Sequence, residues 1–131
     1  MSVTVKHKVN FYETDLMGVT HHSNYVRWFE IGRVEYLRSI GIILNELMDD
    51  DILFPITKIS AEFHSPSQFD DVIEIETVAK ALTKAKMEFE YNIKCGDKLL
   101  VKGFSQNVFT NKNTGKITRL PDKYFSKFPV I

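Results

Sequence analysis

The sequence predicts an α+β fold, a curved antiparallel sheet of five strands packed around one long helix. Three observations carry this reading. Polar and apolar residues alternate in several segments, an aromatic stripe at helical spacing runs from Tyr25 to Ile40, and turn-forming residues separate the segments.

The elements follow in order. Val3, Val5, His7, Val9 and Phe11 share one side of a period-2 pattern, which predicts a half-buried strand from Val3 to Phe11. The long helix follows a loop, with Ser23 or Asn24 as the expected N-cap. Tyr25, Phe29, Gly32, Tyr36 and Ile40 mark its inner face, Arg27, Glu30, Glu35 and Arg38 its wet one, and Gly41 its stop. An interior glycine costs a helix about 1 kcal/mol against alanine, so Gly32 marks a place where the sheet backbone comes close. A short helical piece is expected over Ile43 to Met48, then strands over Phe54 to Phe63, Val72 to Ala81, Lys84 to Cys95 and Lys98 to Thr110. In the fourth of these five strands Met87, Phe89, Tyr91 and Ile93 face one way and Lys86, Glu88, Glu90 and Asn92 the other, so one sheet face is wet. Gly96-Asp97 reads as a two-residue hairpin turn, and Asp49-Asp50-Asp51 as a solvated loop. Tyr124, Phe125 and Phe128 predict a tail that packs back on the body or on a neighbour.

The 131 residues suit a single domain spanning 1 to 131, with 44% hydrophobic residues supplying its core. Lys plus Arg equals Asp plus Glu at 17 each, so no overall field gathers nucleic acid or an anionic membrane. The N-terminal run lacks an apolar segment of signal-peptide length, and no stretch is apolar for long enough to cross a bilayer. We therefore expect a soluble, cytoplasmic protein. Cys95, the one cysteine, cannot form an internal disulfide.

Asp15 is the most informative single residue. It precedes Gly18, Val19, His21, His22, Asn24 and Tyr25, which puts a carboxylate beside the free amides of a helix N-terminus, where developing negative charge is stabilised. A turn residue that satisfies nearby amides would also be Asp at this place. The pair His21-His22 has no further Cys, Asp or Glu at ligand spacing except Asp15, which argues against a metal.

The run from Tyr12 to Tyr25, followed by Trp28-Phe29-Glu30 and by Gly32 to Arg38, resembles the signature of the hotdog-fold acyl-CoA thioesterases of the 4-hydroxybenzoyl-CoA thioesterase family. Phe63-His64-Ser65-Pro66, Phe69-Asp70-Asp71 and Leu120-Pro121 extend the resemblance over nearly the whole chain. It implies a hotdog fold, a homodimer at minimum and often a homotetramer, and hydrolysis of coenzyme A thioesters without metal or redox cofactor. It also implies that Asp15 is the catalytic carboxylate.

Thioester hydrolysis needs a base for water or a carboxylate nucleophile, together with donors aimed at the oxyanion. Asp15 fits either role. The backbone amide of His22 is the expected donor in preference to its ring, and Gly18 lets the loop turn tightly. Gly18, Val19, Asn24 and Tyr25 are candidate substrate contacts, and Lys58, Lys84 and Lys86 candidate contacts for the coenzyme A phosphates, though a solvated sheet face explains the same lysines. Glu30 and Glu35 offer a second acid but also suit pairing with Arg33 and Arg38. A carrier-protein thioester as substrate and a non-catalytic acyl-thioester-binding module are the alternative functions. One helix cannot cover both edges of such a sheet, so edge pairing between two copies is expected.

Overall fold

The computed structural model describes residues 1–131 and places one long helix across a five-stranded sheet. Strand β1 (Ser2–Lys8) leads through a 3₁₀ turn (Phe11–Glu13) and a loop into helix α1 (Ser23–Ser39). A short helix α2 (Leu44–Asp49) follows, then β2 (Ile52–Leu53), β3 (Ile56–Phe63), β4 (Val72–Leu82), β5 (Lys86–Cys95), β6 (Lys98–Val108), β7 (Thr110–Asn111) and a single turn α3 (Asp122–Phe125). The large sheet has the order β1-β4-β5-β6-β3 with every neighbour antiparallel, while β2 pairs with β7 apart from it.

The alternation read from the sequence sets the two sheet faces. Ile73, Ile75 and Thr77 of β4, with Met87, Phe89, Tyr91 and Ile93 of β5, are buried against α1, and Glu74, Lys80 and Glu90 point to solvent. From α1 come Tyr25, Trp28, Phe29, Gly32, Tyr36 and Leu37. The Phe29 ring stacks on Tyr91 with centroids 4.5 Å apart. It lies directly over Gly103 of β6, where a Cβ would stand 2.1 Å from the ring. A Cβ on Gly32 would meet Thr77 Oγ1 at 2.2 Å and Ile75 Cγ2 at 3.0 Å. The close approach expected at Gly32 is therefore real, but it is made by β4 side chains and not by sheet backbone.

Several boundaries differ from the sequence reading. The first strand ends at Lys8, because the 3₁₀ turn bends the chain away and leaves Phe11 74% exposed. The helix begins two residues before Tyr25, which puts Ser23 and Asn24 inside it and leaves the N-cap position to His22, which makes no side-chain cap bond; the His21 ring Nδ1 accepts the Ser23 amide at 3.2 Å. The short pair β2–β7 went unread, since two residues are too few to show alternation. The triple aspartate is not simply a solvated loop. Asp50 accepts hydrogen bonds from the Tyr124 hydroxyl and from Lys123 Nζ, and Asp51 accepts one from Asn113 Nδ2 at 3.1 Å. These contacts hold the tail against the body, with Tyr124 2% exposed.

Glu13 is the only acidic or basic side chain in the buried set. Its Oε1 accepts hydrogen bonds from the Asn10 amide (2.8 Å), Asn10 Nδ2 (3.2 Å) and His7 Nε2 (2.8 Å), and its Oε2 accepts one from Trp28 Nε1 (2.8 Å). Burial alone would raise its pKa. The Asn10, His7 and Trp28 donors outweigh that and hold the carboxyl below the usual carboxylate range.

Two stability measurements test this packing. Gly32→Ala should destabilise by about 1–3 kcal/mol in a denaturant titration, because overpacking against Thr77 outweighs the gain in helix propensity; a more stable variant would contradict the close approach. Glu13→Gln should cost about 1.5–3 kcal/mol at pH 7, the worth of hydrogen bonds to a charged group. Because the folded pKa of Glu13 is depressed, its contribution is present above the unfolded value near 4.3 and lost as pH falls through the folded one. The stability gap between wild type and variant should therefore close below about pH 4.

Candidate active site

Between the 3₁₀ turn and α1 the chain folds into a narrow loop. Thr14 and Thr20 form an antiparallel bridge, the Asp15 amide donates to Val19 O at 2.9 Å, and the Gly18 amide donates to Asp15 O at 3.0 Å. The tight turn needs Gly18 at φ +78°, a left-handed conformation costly for other residues. Asp15 Oδ1 accepts the Met17 amide at 2.8 Å, so one carboxylate oxygen does serve the turn. The other, Oδ2, has no hydrogen bond within the protein and is available to the cleft.

Asp15 lies in a cleft of about 350 Å³ with Thr20, His22 and Tyr25 on its own side and Phe63 to Pro66 opposite. The opposite wall is tied to the loop by hydroxyls that sequence reasoning did not single out. Ser67, fully buried, pairs its Oγ with Thr20 Oγ1 at 2.6 Å and with the Tyr25 hydroxyl at 2.9 Å, and its carbonyl accepts the Thr20 amide at 2.8 Å. Burial is the main reason the Tyr25 phenol is pushed up, with the Ser67 bond opposing, so Tyr25 stays neutral through the physiological range. Phe63 packs edge-on against Tyr25 and His22, at 5.7 and 6.4 Å between centroids.

The first turn of α1 spends its amides unevenly. His21 N donates to Glu13 O at 2.8 Å, Ser23 N to the His21 ring, Asn24 N to His21 O at 3.0 Å and Tyr25 N to His22 O at 3.2 Å. The His22 amide makes no hydrogen bond within the protein. It stands at the positive end of a 17-residue helix and beside Asp15's cleft, which equips this point to receive negative charge.

The structure thus brings Asp15, His22 and Tyr25 to one cleft, with Gly18 and Val19 shaping the loop. Asn24 turns inward, its Nδ2 donating to Glu13 O at 2.9 Å and to His21 O at 3.3 Å. The three lysines lie elsewhere in the chain. Lys58 is exposed five positions before Phe63 on β3, roughly 16 Å away along a strand. Lys84 pairs with Asp122 at 2.5 Å and Lys86 with Glu88 at 3.4 Å, at the opposite end of the sheet. Glu35 pairs with Arg38, while Glu30 forms no ion pair and lines an outer groove of α1. No three His, Cys, Asp or Glu side chains gather as a ligand set for a metal. Glu13 was missed too, although the spacing Asn10-x-x-Glu13 is a capping signature legible in the sequence.

Comparison with known proteins agrees with this architecture. The sequence profile of the thioesterase-like superfamily matches residues 9–128. A protein of Aquifex aeolicus (strain VF5), whose esterase name is provisional, is 33% identical over 92% of this chain and 93% of its own. The acyl-CoA thioester hydrolase YbgC of Escherichia coli O157:H7 is 30% identical over 66% of this chain and 64% of its own. The crystal structure of a DHNA-CoA thioesterase from Staphylococcus aureus superposes with a TM-score of 0.89 at 24% identity, over 95% of this chain and 84% of the other. With a match that spans nearly every element, this chain belongs to the thioesterase-like superfamily and carries its hotdog fold.

Proposed function

We propose that the protein is an acyl-CoA thioesterase that uses Asp15 as base or nucleophile and the amide of His22 as oxyanion donor. The observation that carries this reading is the free His22 amide at the start of α1, on a residue that lines the same cleft as Asp15. The acyl-CoA substrates named for relatives agree with it.

As a base, Asp15 takes a proton from water while the oxygen attacks the thioester carbonyl. The tetrahedral oxyanion is met by the His22 N–H and the helix dipole. Collapse breaks the C–S bond, the thiolate of coenzyme A leaves, and the free acid remains. As a nucleophile, the Asp15 carboxylate attacks the carbonyl, expels the thiolate and forms an anhydride that water then cleaves. Both routes consume one water and release one acid and one thiol.

Of the three candidate lysines, Lys58 acquires a place through assembly. Strand β3 is an uncovered edge, with Ile56, Ile59 and Phe63 exposed by 37, 42 and 56%. Antiparallel pairing of two copies of β3 extends the sheet, hides these residues and sets the Phe63 end of one copy beside the Ile56 end of the other. Lys58 then approaches the neighbour's cleft, where it can meet a phosphate of the bound coenzyme. A homodimer is the minimum unit on this reading, and two such dimers can stack as a homotetramer. No helix is long and apolar enough to cross a membrane.

Two measurements decide between the readings. Thiol release should be observed with some member of a panel of acetyl-, butyryl-, hexanoyl-, palmitoyl- and 4-hydroxybenzoyl-CoA, and Asp15→Asn should lower kcat by about 10²- to 10⁴-fold with its fold intact. If no coenzyme A ester turns over but an acyl carrier protein thioester does, the carrier is the protein; tight acyl-thioester binding with no turnover at all would make this a binding module. Light scattering should return the mass of two or four chains, and a 15.2 kDa monomer would refute the β3 pairing.

A further inference from the structure

Glu13 is an ionisable side chain buried at 5% exposure, two residues before Asp15, and neither route above uses it. We propose that Glu13 is a positioning residue that sets the geometry of both the Asp15 carboxylate and the His22 amide. The inference rests on the thioesterase reading, since it assigns a role within that reaction.

The residue is gripped at both ends. Its carboxylate is held by His7 from β1, by Asn10 from the turn and by Trp28 from α1, so three elements converge on one side chain. Its carbonyl oxygen accepts the His21 amide at 2.8 Å and Asn24 Nδ2 at 2.9 Å. The first set fixes where the chain leaves the turn. Only Thr14 separates that point from Asp15, and the Thr14–Thr20 bridge and the Asp15–Val19 bond carry the constraint onward. The second set reaches the His22 amide through Asn24, whose Nδ2 donates to Glu13 O and also, at 3.3 Å, to His21 O, the carbonyl of the peptide that carries the His22 N–H, while the His21 amide is itself pinned to Glu13. Both groups that the proposed chemistry needs are therefore referred to one residue. The Oε2–Trp28 bond is the longest-range link, joining residues 15 positions apart.

Glutamine preserves the volume of Glu13 but turns one acceptor into a donor. With three donors on Oε1 and one on Oε2, either orientation of the amide faces a donor with a donor. Displacement of a reacting group by about 1 Å can cost about 10²-fold in rate.

The chain has one tryptophan, so the indole N–H signal of Trp28 reports directly on this site in a ¹H–¹⁵N spectrum. The experiment measures kcat and KM of wild type, Glu13→Gln, Trp28→Phe and the double variant with the best acyl-CoA of the panel, and amide hydrogen exchange of each. Glu13→Gln should shift the indole signal, lower kcat by about 10- to 100-fold with KM within about threefold, and speed exchange at the Asp15 and His21 amides while β4 and β5 stay protected. Trp28→Phe should lower kcat by less, and the double variant should be no slower than Glu13→Gln, since both act through one network. A folded Glu13→Gln with wild-type kcat, or with unchanged exchange at Asp15 and His21, overturns the proposal while Asp15→Asn still reports on the chemistry. If Glu13→Gln does not fold, wild-type kcat in Trp28→Phe overturns it instead. Wild-type protein inert toward every acyl-CoA and toward acyl carrier protein thioesters overturns the thioesterase reading and the positioning role together.

Discussion

The whole arrangement depends on how closely α1 can lie on the sheet. A helix with Tyr25, Trp28, Phe29 and Tyr36 along one face has more aromatic volume than a flat sheet admits. Two glycines resolve the conflict. Gly103 leaves a hollow in β6 for the Phe29 ring, and Gly32 removes the side chain that would collide with Thr77. With those two gaps the helix descends far enough for Phe29 to stack on Tyr91 and for the central strands to be fully buried. The position of the helix N-terminus, and with it the place where charge can be stabilised, follows from this depth.

Seating the helix does not by itself orient the loop in front of it. That loop has few apolar anchors of its own, since Leu16 and Met17 at its tip are 107 and 82% exposed. Polar bonds hold it at both roots. Glu13 fastens the incoming strand to the helix, and the Thr20, Ser67 and Tyr25 hydroxyls fasten the outgoing loop to the segment before β4. Burying a carboxylate is costly unless its acceptors are filled, and four donors fill those of Glu13. A loop held by hydrogen bonds at its roots, with a free carboxylate oxygen where it begins and a free amide where it enters the helix, is suited to meet charge that appears only during a reaction.

The sheet leaves one requirement unmet inside a single chain. β3 carries exposed apolar residues along an edge with no helix or loop over it, and such an edge is normally covered by a partner. The pairing of two copies proposed above would make a cleft of about 350 Å³, small for a coenzyme A ester, part of a larger site.

By itself the sequence determined the order of the main elements and their faces, and it singled out the loop that holds the candidate site, because these are local properties. Alternation in β4 and β5 names the buried side directly, and the run from Asp15 to Tyr25 states a carboxylate, a tight turn and a helix start in consecutive residues. Period-2 spacing misled at β1, where Val9 is buried by the core and Phe11 is not, although both continue the pattern. It could not show that the N-cap position falls on His22 or that the His21 ring meets the Ser23 amide, because a ring nitrogen reaches an amide only through a particular backbone bend. Nor could it show the meeting of Thr20 with Ser67, 47 positions apart, or of Glu13 with Trp28, 15 apart. Those contacts were decided by the tertiary structure, since hydrogen-bond partners distant in sequence are chosen by how the helix settles on the sheet, and no local period records that depth.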